Sequence, residues 1–228
     1  MSGIPGSTGA TPVQNVGAYG QEVADVLTAV RVWDRAAATE RVLSSAECGF
    51  AYRDSRFKRE PGRFVVLEVT LALDPGELSA PIGYPELARR LGVEPGERAP
   101  LADVRAAVLA LRRGKGMVWT PADPGSRSAG SFFTNPVVPA ARAVAGCPSW
   151  PAGEGRVKLS AAWLVEHAGF GRGTRDGRVG TSARHSLALT TEPGATAEEL
   201  LAFSEKIVAA VQERFGVILE REPTVPRP

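Results

Sequence analysis

The sequence predicts an α+β fold, and three patterns carry that prediction. Runs rich in β-branched residues at 26–33 and 64–73 are typical of strands, the second of them largely buried. Apolar residues over 101–113 recur every three or four positions, which predicts an amphipathic helix. From about residue 150 the predicted order is helix, strand, helix, strand, which indicates an α+β layer.

The first half of the chain carries several shorter elements. A short strand and turn are predicted over 40–47, and a short helix over 85–91 is expected to end at Gly92. Proline, glycine and serine over 120–130 predict a loop. A helix is then predicted over 158–168 from its apolar face.

The second half ends on a long helix. Glycines over 169–180 predict a loop, and residues 186–190 predict a short strand. The capping-box pattern at 196–199 begins the last helix, which should end before Gly216. Val-Ile-Leu at 217–219 predicts a terminal strand.

Composition and charge narrow the functional classes. The chain has 228 residues, of which 43% are hydrophobic and 23% charged, with a net charge of +2. These values are typical of a soluble globular protein and exclude a wholly disordered chain. No run of apolar residues approaches the ~20 that span a membrane. We therefore expect a cytoplasmic protein with no nucleic-acid or membrane partner.

Cysteine and histidine are too sparse for a metal site or a disulfide framework. Cys48, Cys147, His167 and His185 are the full set, and their spacing matches no zinc motif. We expect no metal and treat these residues as ordinary core or surface positions.

The densest basic cluster comprises Arg112, Arg113 and Lys115. It fits the solvated end of a helix. It equally fits a site for an anionic group such as a diphosphate.

Five glycines and two prolines punctuate residues 3–20. The pattern fits tight turns that serve only the fold. It also fits backbone N–H groups that approach a cofactor closely, because no side-chain bulk intervenes.

This glycine-rich segment and two others together resemble a known family. Residues 48–58 are Cys-Gly-Phe-Ala-Tyr-Arg-Asp-Ser-Arg-Phe-Lys, and residues 128–136 are Ser-Ala-Gly-Ser-Phe-Phe-Thr-Asn-Pro. They resemble signature stretches of the UDP-N-acetylenolpyruvoylglucosamine reductase (MurB) family, in the family's order. Residues 158–164 and 215–222 add support. Several long motifs in register are far more specific than one short pattern.

The resemblance implies a domain organisation. Residues 1–118 would form part of a flavin-binding α+β domain, and residues 119–228 a MurB-type α+β substrate-binding domain. The family carries a Gly-Gly-Gly-Ser-Asn-type turn for the flavin diphosphate ahead of the segment that begins at Gly3. We therefore expect an N-terminally truncated member whose FAD binding is weak or absent as given.

The resemblance also implies an activity. NADPH would reduce FAD, and hydride would then pass to UDP-N-acetylglucosamine enolpyruvate, giving UDP-N-acetylmuramate for peptidoglycan synthesis. A monomer is the family expectation. The alternative is a redox-inactive remnant that binds the UDP-sugar without flavin.

Three catalytic residues are implied, each with a simpler alternative. Arg53 would stabilise the substrate carboxylate, or else form a surface ion pair with Asp54. Ser131 would donate a proton, or else cap a turn. Glu222 would be the catalytic glutamate, or else an exposed tail residue. The family tail usually has the form Leu-x-Pro-Glu, whereas this chain has Leu-Glu-Arg-Glu at 219–222.

Binding residues follow from the same motifs. Tyr52, Tyr84, Lys115 and Asn135 are expected to contact substrate, although Tyr84 also fits a half-buried structural aromatic. The residues expected to contact the cofactor lie in the glycine-rich segment: Gly3, Ile4, Pro5, Gly6, Ser7, Gln14, Asn15, Gly17, Ala18 and Tyr19.

Overall fold

The structure, a computed structural model, describes residues 1–225 and divides the chain into two compact units. Unit 1 is Met1–Leu111 and unit 2 is Arg112–Pro228. The predicted division after residue 118 lies slightly further along the chain. Both units combine helices with antiparallel sheets, so the predicted α+β class is confirmed.

Unit 1 is built on a three-stranded antiparallel sheet with strand order β4-β3-β5. Predicted strands at 26–33, 40–47 and 64–73 are confirmed as β3, β4 and β5. The elements of this unit are β1 Gly17–Ala18, β2 Gln21–Glu22, β3 Leu27–Asp34, β4 Thr39–Ser44, α1 Arg56–Arg59, β5 Phe64–Leu71, α2 Pro85–Leu91 and the start of α3 Leu101–Gly114.

One face of this sheet forms a core and the other faces solvent. Val30 and Val32 of β3 are completely buried together with Leu43 of β4. The prediction that the 64–73 strand is largely buried is wrong, because its residues alternate and Leu67 is 44% exposed. A strand with one solvated face needs apolar residues only at every second position, and the additional Val65 and Leu67 of β5 lie on the exposed face.

Helices α2 and α3 pack a second apolar cluster in unit 1, around Leu87, Ala88 and Val108. Both helices were predicted within a residue of their observed bounds. Gly92 ends α2 with φ of +71°, a left-handed conformation that glycine adopts without strain.

Unit 2 has two small antiparallel sheets, in the orders β6-β8-β7 and β11-β10-β9. Its elements are the end of α3, β6 Val137–Pro139, β7 Ser149–Pro151, β8 Arg156–Leu159, α4 Ala161–His167, β9 Arg175–Asp176, β10 Val179–Thr181, β11 Leu189–Thr191 and α5 Ala197–Phe215.

The helix predicted over 158–168 begins later than expected. Lys158 and Leu159 belong to β8, and the Ser160 hydroxyl caps α4 by accepting a hydrogen bond from the Trp163 N–H at 3.3 Å. A serine side chain competes with the backbone and favours the position before a helix. That preference outweighed the apolar periodicity.

Two further predictions need correction. The loop predicted over 169–180 contains strands β9 and β10, and the terminal strand predicted over 217–219 is absent from the described structure. Val217 and Leu219 are buried while Ile218 is 60% exposed, so a non-strand segment reproduces the alternation of a strand. The strand predicted over 186–190 forms instead at Leu189–Thr191.

The core of unit 2 lies between α4 and α5. Phe203, Ile207 and Val211 line one face of α5 and are at most 2% exposed, packed with Leu164 and Val165. The predicted capping box at 196–199 forms, and α5 ends before Gly216 as expected. Among the described residues, no helix is long and apolar enough to cross a membrane.

Asp34 closes β3 with a carboxylate that solvent does not reach. Oδ1 accepts from the N–H groups of Ala36 and Ala37 at 3.0 and 3.3 Å, and Oδ2 accepts from Arg63 at 3.1 Å and Arg41 at 3.4 Å. The hydrogen bond from Arg63, helped by the two backbone donors, lowers the pKa of Asp34 to about 2.

Acid should therefore weaken the fold through Asp34. Because its pKa falls from 3.8 to about 2 on folding, the stability it contributes is complete above 3.8 and is lost as the pH drops through about 2. In urea unfolding, wild type should exceed Asp34→Asn by a constant free energy from pH ~7 to ~5, and the difference should shrink below pH ~4. A difference that stays constant down to pH ~2 would contradict this assignment.

Candidate functional site

Backbone strain concentrates in the two signature segments of unit 1. Asn15, Tyr19 and Arg53 have φ of +48°, +56° and +52°. Non-glycine residues rarely adopt this region, and such residues cluster where geometry serves a function. Two further residues of the described chain, Ala38 and Glu154, share this conformation but lie outside the signature segments.

A hydrogen-bond network joins Arg53 to the glycine-rich segment. The Arg53 Nη2 donates to the Gly17 carbonyl at 2.6 Å, and Nη1 donates to Oε1 of Glu22 at 3.3 Å. The other carboxylate oxygen of Glu22 accepts from Nδ2 of Asn15 at 2.7 Å. The ion pair of Arg53 with Asp54, considered as the simpler alternative, does not form, because Asp54 pairs with Arg59 and Arg53 pairs with Glu22.

Asn15 fastens this network to the rest of unit 1. Its side chain also donates to the Ala51 carbonyl at 3.1 Å and accepts from the Ala24 N–H at 3.0 Å, and the residue is 1% exposed. Three protein contacts thus engage the Asn15 amide. Its expected contact with a cofactor remains a prediction.

Gly17 lies where the network is tightest. A Cβ at this position would lie 2.6 Å from the Gln21 carbonyl oxygen, 2.8 Å from Cγ of Glu22 and 3.1 Å from Nη1 of Arg53. No side chain fits there without displacing the ion pair. The glycine expected to admit a cofactor therefore also admits the arginine.

The start of the glycine-rich segment has a different character. A Cβ at Gly6 or Gly9 would meet nothing within 4 Å. Within residues 1–225, the N–H groups of residues 6–9 have no acceptor. Gly3, Ile4, Pro5 and Ser7 belong to the same stretch, in which residues 5–8 are all exposed. The result is a bare backbone edge with several unused donors.

Aromatic rings flank the Arg53 network. The Tyr19 ring meets the Tyr84 ring edge to face, with centroids 5.2 Å apart, and Tyr84 is 37% exposed. The Arg53 guanidinium lies 5.1 Å from the centroid of the Tyr52 ring. Gln14 and Ala18 are half-buried in the same segment. Unit 1 thus groups Tyr19 with Tyr84, and Tyr52 with Arg53.

In unit 2, the segment that carries Ser131 is held on both sides. Ser131 pairs with Ala188, and the Phe132 N–H donates to the Leu187 carbonyl at 2.7 Å. Phe132 and Phe133 are buried beside the half-buried serine. Within residues 1–225, the Ser131 hydroxyl has no hydrogen-bond partner. The Ser131 hydroxyl therefore has buried aromatic neighbours and can still donate a hydrogen bond.

Glu222 lies on the other side of this segment. Its N–H donates to the Phe132 carbonyl at 2.9 Å, and Phe133 pairs with Arg221. This register places Glu222 opposite Phe132, one residue from Ser131. Glu222 is half-buried rather than fully exposed, and its altered tail motif is fixed by these backbone bonds.

The other predicted substrate contacts are dispersed within unit 2. Oδ1 of Asn135 accepts from the Ala161 N–H at 2.9 Å and so secures the start of α4. Lys115 is half-buried just after α3. Of its basic neighbours, Arg112 is 8% exposed and donates to the Met117 carbonyl at 3.0 Å, whereas Arg113 is exposed. The basic cluster therefore divides into a buried structural Arg112, an exposed Arg113 and a half-buried Lys115.

The cysteines do not supply nucleophiles. Burial raises the pKa of Cys48 to about 11, and burial also raises the pKa of Cys147. Both thiols stay protonated near neutral pH. Among the described residues, no group of three potential metal ligands comes together.

Sequence reasoning missed Glu22. It follows the glycine-rich segment as an ordinary acidic residue, and its partner Arg53 is 31 positions away. The antiparallel pairing of Gly17 with Glu22 places both residues beside Arg53. An acidic residue close after a glycine-rich segment offers a weak signal for such a pairing.

Adding a methyl group at Gly17 should destabilise unit 1. Overpacking at this contact should lower the free energy of unfolding of Gly17→Ala by about 1–3 kcal/mol in urea titration. The matched control is Gly9→Ala, where the new methyl meets nothing within 4 Å. It should change stability by about 0.5 kcal/mol or less. Equal losses in the two variants would refute the steric account.

Comparisons with known proteins identify the family to which this chain belongs. Residues 122–226 match the family model described as UDP-N-acetylenolpyruvoylglucosamine reductase, C-terminal domain. UDP-N-acetylenolpyruvoylglucosamine reductase of Thermobifida fusca is 54% identical over 99% of this chain and 67% of its own length. The enzyme of that name from Cutibacterium acnes is 49% identical over 98% of this chain and 60% of its own.

A solved structure shares the fold. The reductase MurB of Thermus caldophilus superposes with a TM-score of 0.58 at 23% identity, covering 97% of this chain and 60% of that one. The chain thus spans about 60 to 67% of the length of these relatives. On the identity and coverage of its relatives, the chain belongs to the UDP-N-acetylenolpyruvoylglucosamine reductase family.

Proposed function

We propose that this chain carries the flavin-contacting and substrate-binding core of a UDP-N-acetylenolpyruvoylglucosamine reductase. The reaction is the NADPH-dependent reduction of UDP-N-acetylglucosamine enolpyruvate to UDP-N-acetylmuramate, a step of cytoplasmic peptidoglycan synthesis. One observation carries the proposal: in unit 2, backbone pairing sets Glu222 opposite Phe132, the residue next to Ser131 in the sequence. The names of the relatives support the same activity.

The bare backbone edge fits a bound FAD. Gly6 and Gly9 leave open space where side chains would lie, and the N–H groups of residues 6–9 have no acceptor in the described chain. Gly3, Ile4, Pro5 and Ser7 would hold the cofactor along this edge, with Gln14, Asn15, Gly17, Ala18 and Tyr19 further along the segment. When bound, FAD supplies hydride transfer from NADPH to the substrate.

Arg53 and Ser131 divide the chemistry on the substrate. The Arg53 guanidinium binds the enolpyruvyl carboxylate and stabilises the negative charge that grows beside it, because a cation held in place costs no reorganisation during reaction. The Ser131 hydroxyl donates the proton that completes the reduced product. Glu222 stabilises the electron-rich enol form through a hydrogen bond.

The remaining contacts set substrate orientation. Tyr84 is 37% exposed and offers a hydroxyl to the diphosphate. Lys115 supplies a cation for a phosphate group of the substrate or of NADPH. Tyr52 and the Asn135 amide group contribute further polar contacts. The protein would act as a monomer.

The proposed function is tested with the complete gene product. We expect a purified protein that carries flavin absorbance and oxidises NADPH over repeated turnovers only when UDP-N-acetylglucosamine enolpyruvate is present. Substrate binding without flavin uptake, and without NADPH oxidation, would instead establish a redox-inactive sugar-nucleotide-binding protein.

Ser131→Ala should separate the two half-reactions. Flavin reduction by NADPH should keep its wild-type rate, whereas reoxidation by substrate should slow by about 100-fold or more, since a positioned proton donor is lost. Stopped-flow absorbance measures both rates.

Ser128→Ala is the matched control, because Ser128 lies in the same segment and its hydroxyl donates to the Gly116 carbonyl at 3.3 Å. This control should leave both rates near wild type. Equal slowing of both half-reactions in Ser131→Ala would argue for a structural role of the serine.

A further inference from the structure

We propose that Glu22 is a positioning residue that holds the Arg53 guanidinium in its working orientation. The inference rests on the proposed function, since Arg53 is the residue that binds the substrate carboxylate there. It assigns a task to a residue that the motifs of the sequence did not single out.

The first argument is the way the Glu22 carboxylate is shared. Oε1 accepts from Nη1 of Arg53 at 3.3 Å, and Oε2 accepts from Nδ2 of Asn15 at 2.7 Å. Since Asn15 is itself fixed by the Ala24 N–H and the Ala51 carbonyl, the carboxylate has one anchored partner and one functional partner. Glu22 thereby restrains the long Arg53 side chain through a contact that is anchored in unit 1.

The second argument is the geometry of the guanidinium. Its two terminal nitrogens contact two different acceptors, the Glu22 carboxylate and the Gly17 carbonyl at 2.6 Å. Because the group is planar, two such contacts fix its plane as well as its position. The Arg53 side chain is only 16% exposed, so few alternative orientations lie open to it.

The third argument is charge. Glu22 balances part of the Arg53 charge, so removing the carboxylate leaves a cation that attracts a substrate carboxylate at least as strongly. Loss of Glu22 should therefore spare the KM for substrate while lowering kcat, because orientation is lost and attraction is kept. Loss of a simple binding residue would raise KM instead.

Glu22→Gln is the informative change. The glutamine oxygen still accepts the hydrogen bond from Asn15, but its amide group then turns two N–H donors toward the donors of Arg53. The variant breaks the ion pair while it keeps the side-chain size and the anchor. Glu22→Asp keeps the charge on a shorter side chain and should recover part of the lost rate.

Stopped-flow and steady-state kinetics test this role of Glu22. They are measured on the complete gene product. In Glu22→Gln, reoxidation of the flavin by substrate should slow by about 10- to 100-fold. Flavin reduction by NADPH, the substrate KM and the melting temperature should stay near wild type. A crystal structure of the variant should show the Arg53 guanidinium displaced from the Gly17 carbonyl.

Glu60→Gln provides the matched control. Glu60 pairs with Arg56 and Arg63, and its side chain is 33% exposed, as is that of Glu22. This control should retain both half-reactions. It loses ion pairs of the same kind that do not involve Arg53.

The outcomes for Glu22→Gln and for the wild-type protein distinguish failure of the positioning role from failure of the proposed function. Unchanged reoxidation in Glu22→Gln, or equal slowing of both half-reactions with a lower melting temperature, would overturn the positioning role while the proposed function stands. A wild-type protein without substrate-dependent NADPH oxidation would overturn the proposed function and this inference with it.

Discussion

A carboxylate that joins the buried amide of Asn15 to the guanidinium of Arg53 organises the signature segments of unit 1. Glu22 accepts from Asn15 on one side and from Arg53 on the other. The left-handed backbone at Asn15 and Arg53 and the absence of a side chain at Gly17 are the conditions that let these groups meet. The strain of the two turns is offset by hydrogen bonds that no relaxed conformation would bring together.

In unit 2 the Ser131 segment is held by backbone bonds and by two buried rings. It lies between residues 187–188 and the tail at 220–222, and Phe132 and Phe133 pack in the core. This leaves the Ser131 hydroxyl unengaged among residues 1–225 and sets it beside two buried rings. A hydroxyl that served to fasten the fold would have no such freedom.

The sequence allowed most regular elements to be predicted, because apolar periodicity and caps are local signals. Strands β3, β4 and β5, helices α2 and α3 and the capping box of α5 all formed where expected. The failures have several causes. At Leu159 and over 217–219 the apolar pattern reported burial correctly but not the element that was buried. Over 169–180 the glycines masked two short strands, β9 and β10, which pair with each other across residues 177–178.

The motifs located Arg53, Ser131 and Glu222, whose roles stay predictions, but not the partners of these residues. The pairing of Arg53 with Glu22 rather than its neighbour Asp54 follows from a turn that only coordinates reveal.

The pairing of residues 131–133 with the tail also sets an order of events during synthesis. The tail leaves the ribosome about ninety residues after Ser131, with α4 and α5 in between. Until residues 220–222 emerge, one edge of the serine segment exposes unpaired carbonyl and N–H groups to solvent or to another chain. The segment that carries the proposed proton donor is therefore fully paired only after residues 220–222 have been synthesised, and slow or interrupted synthesis before them leaves an open β-edge next to two aromatic side chains.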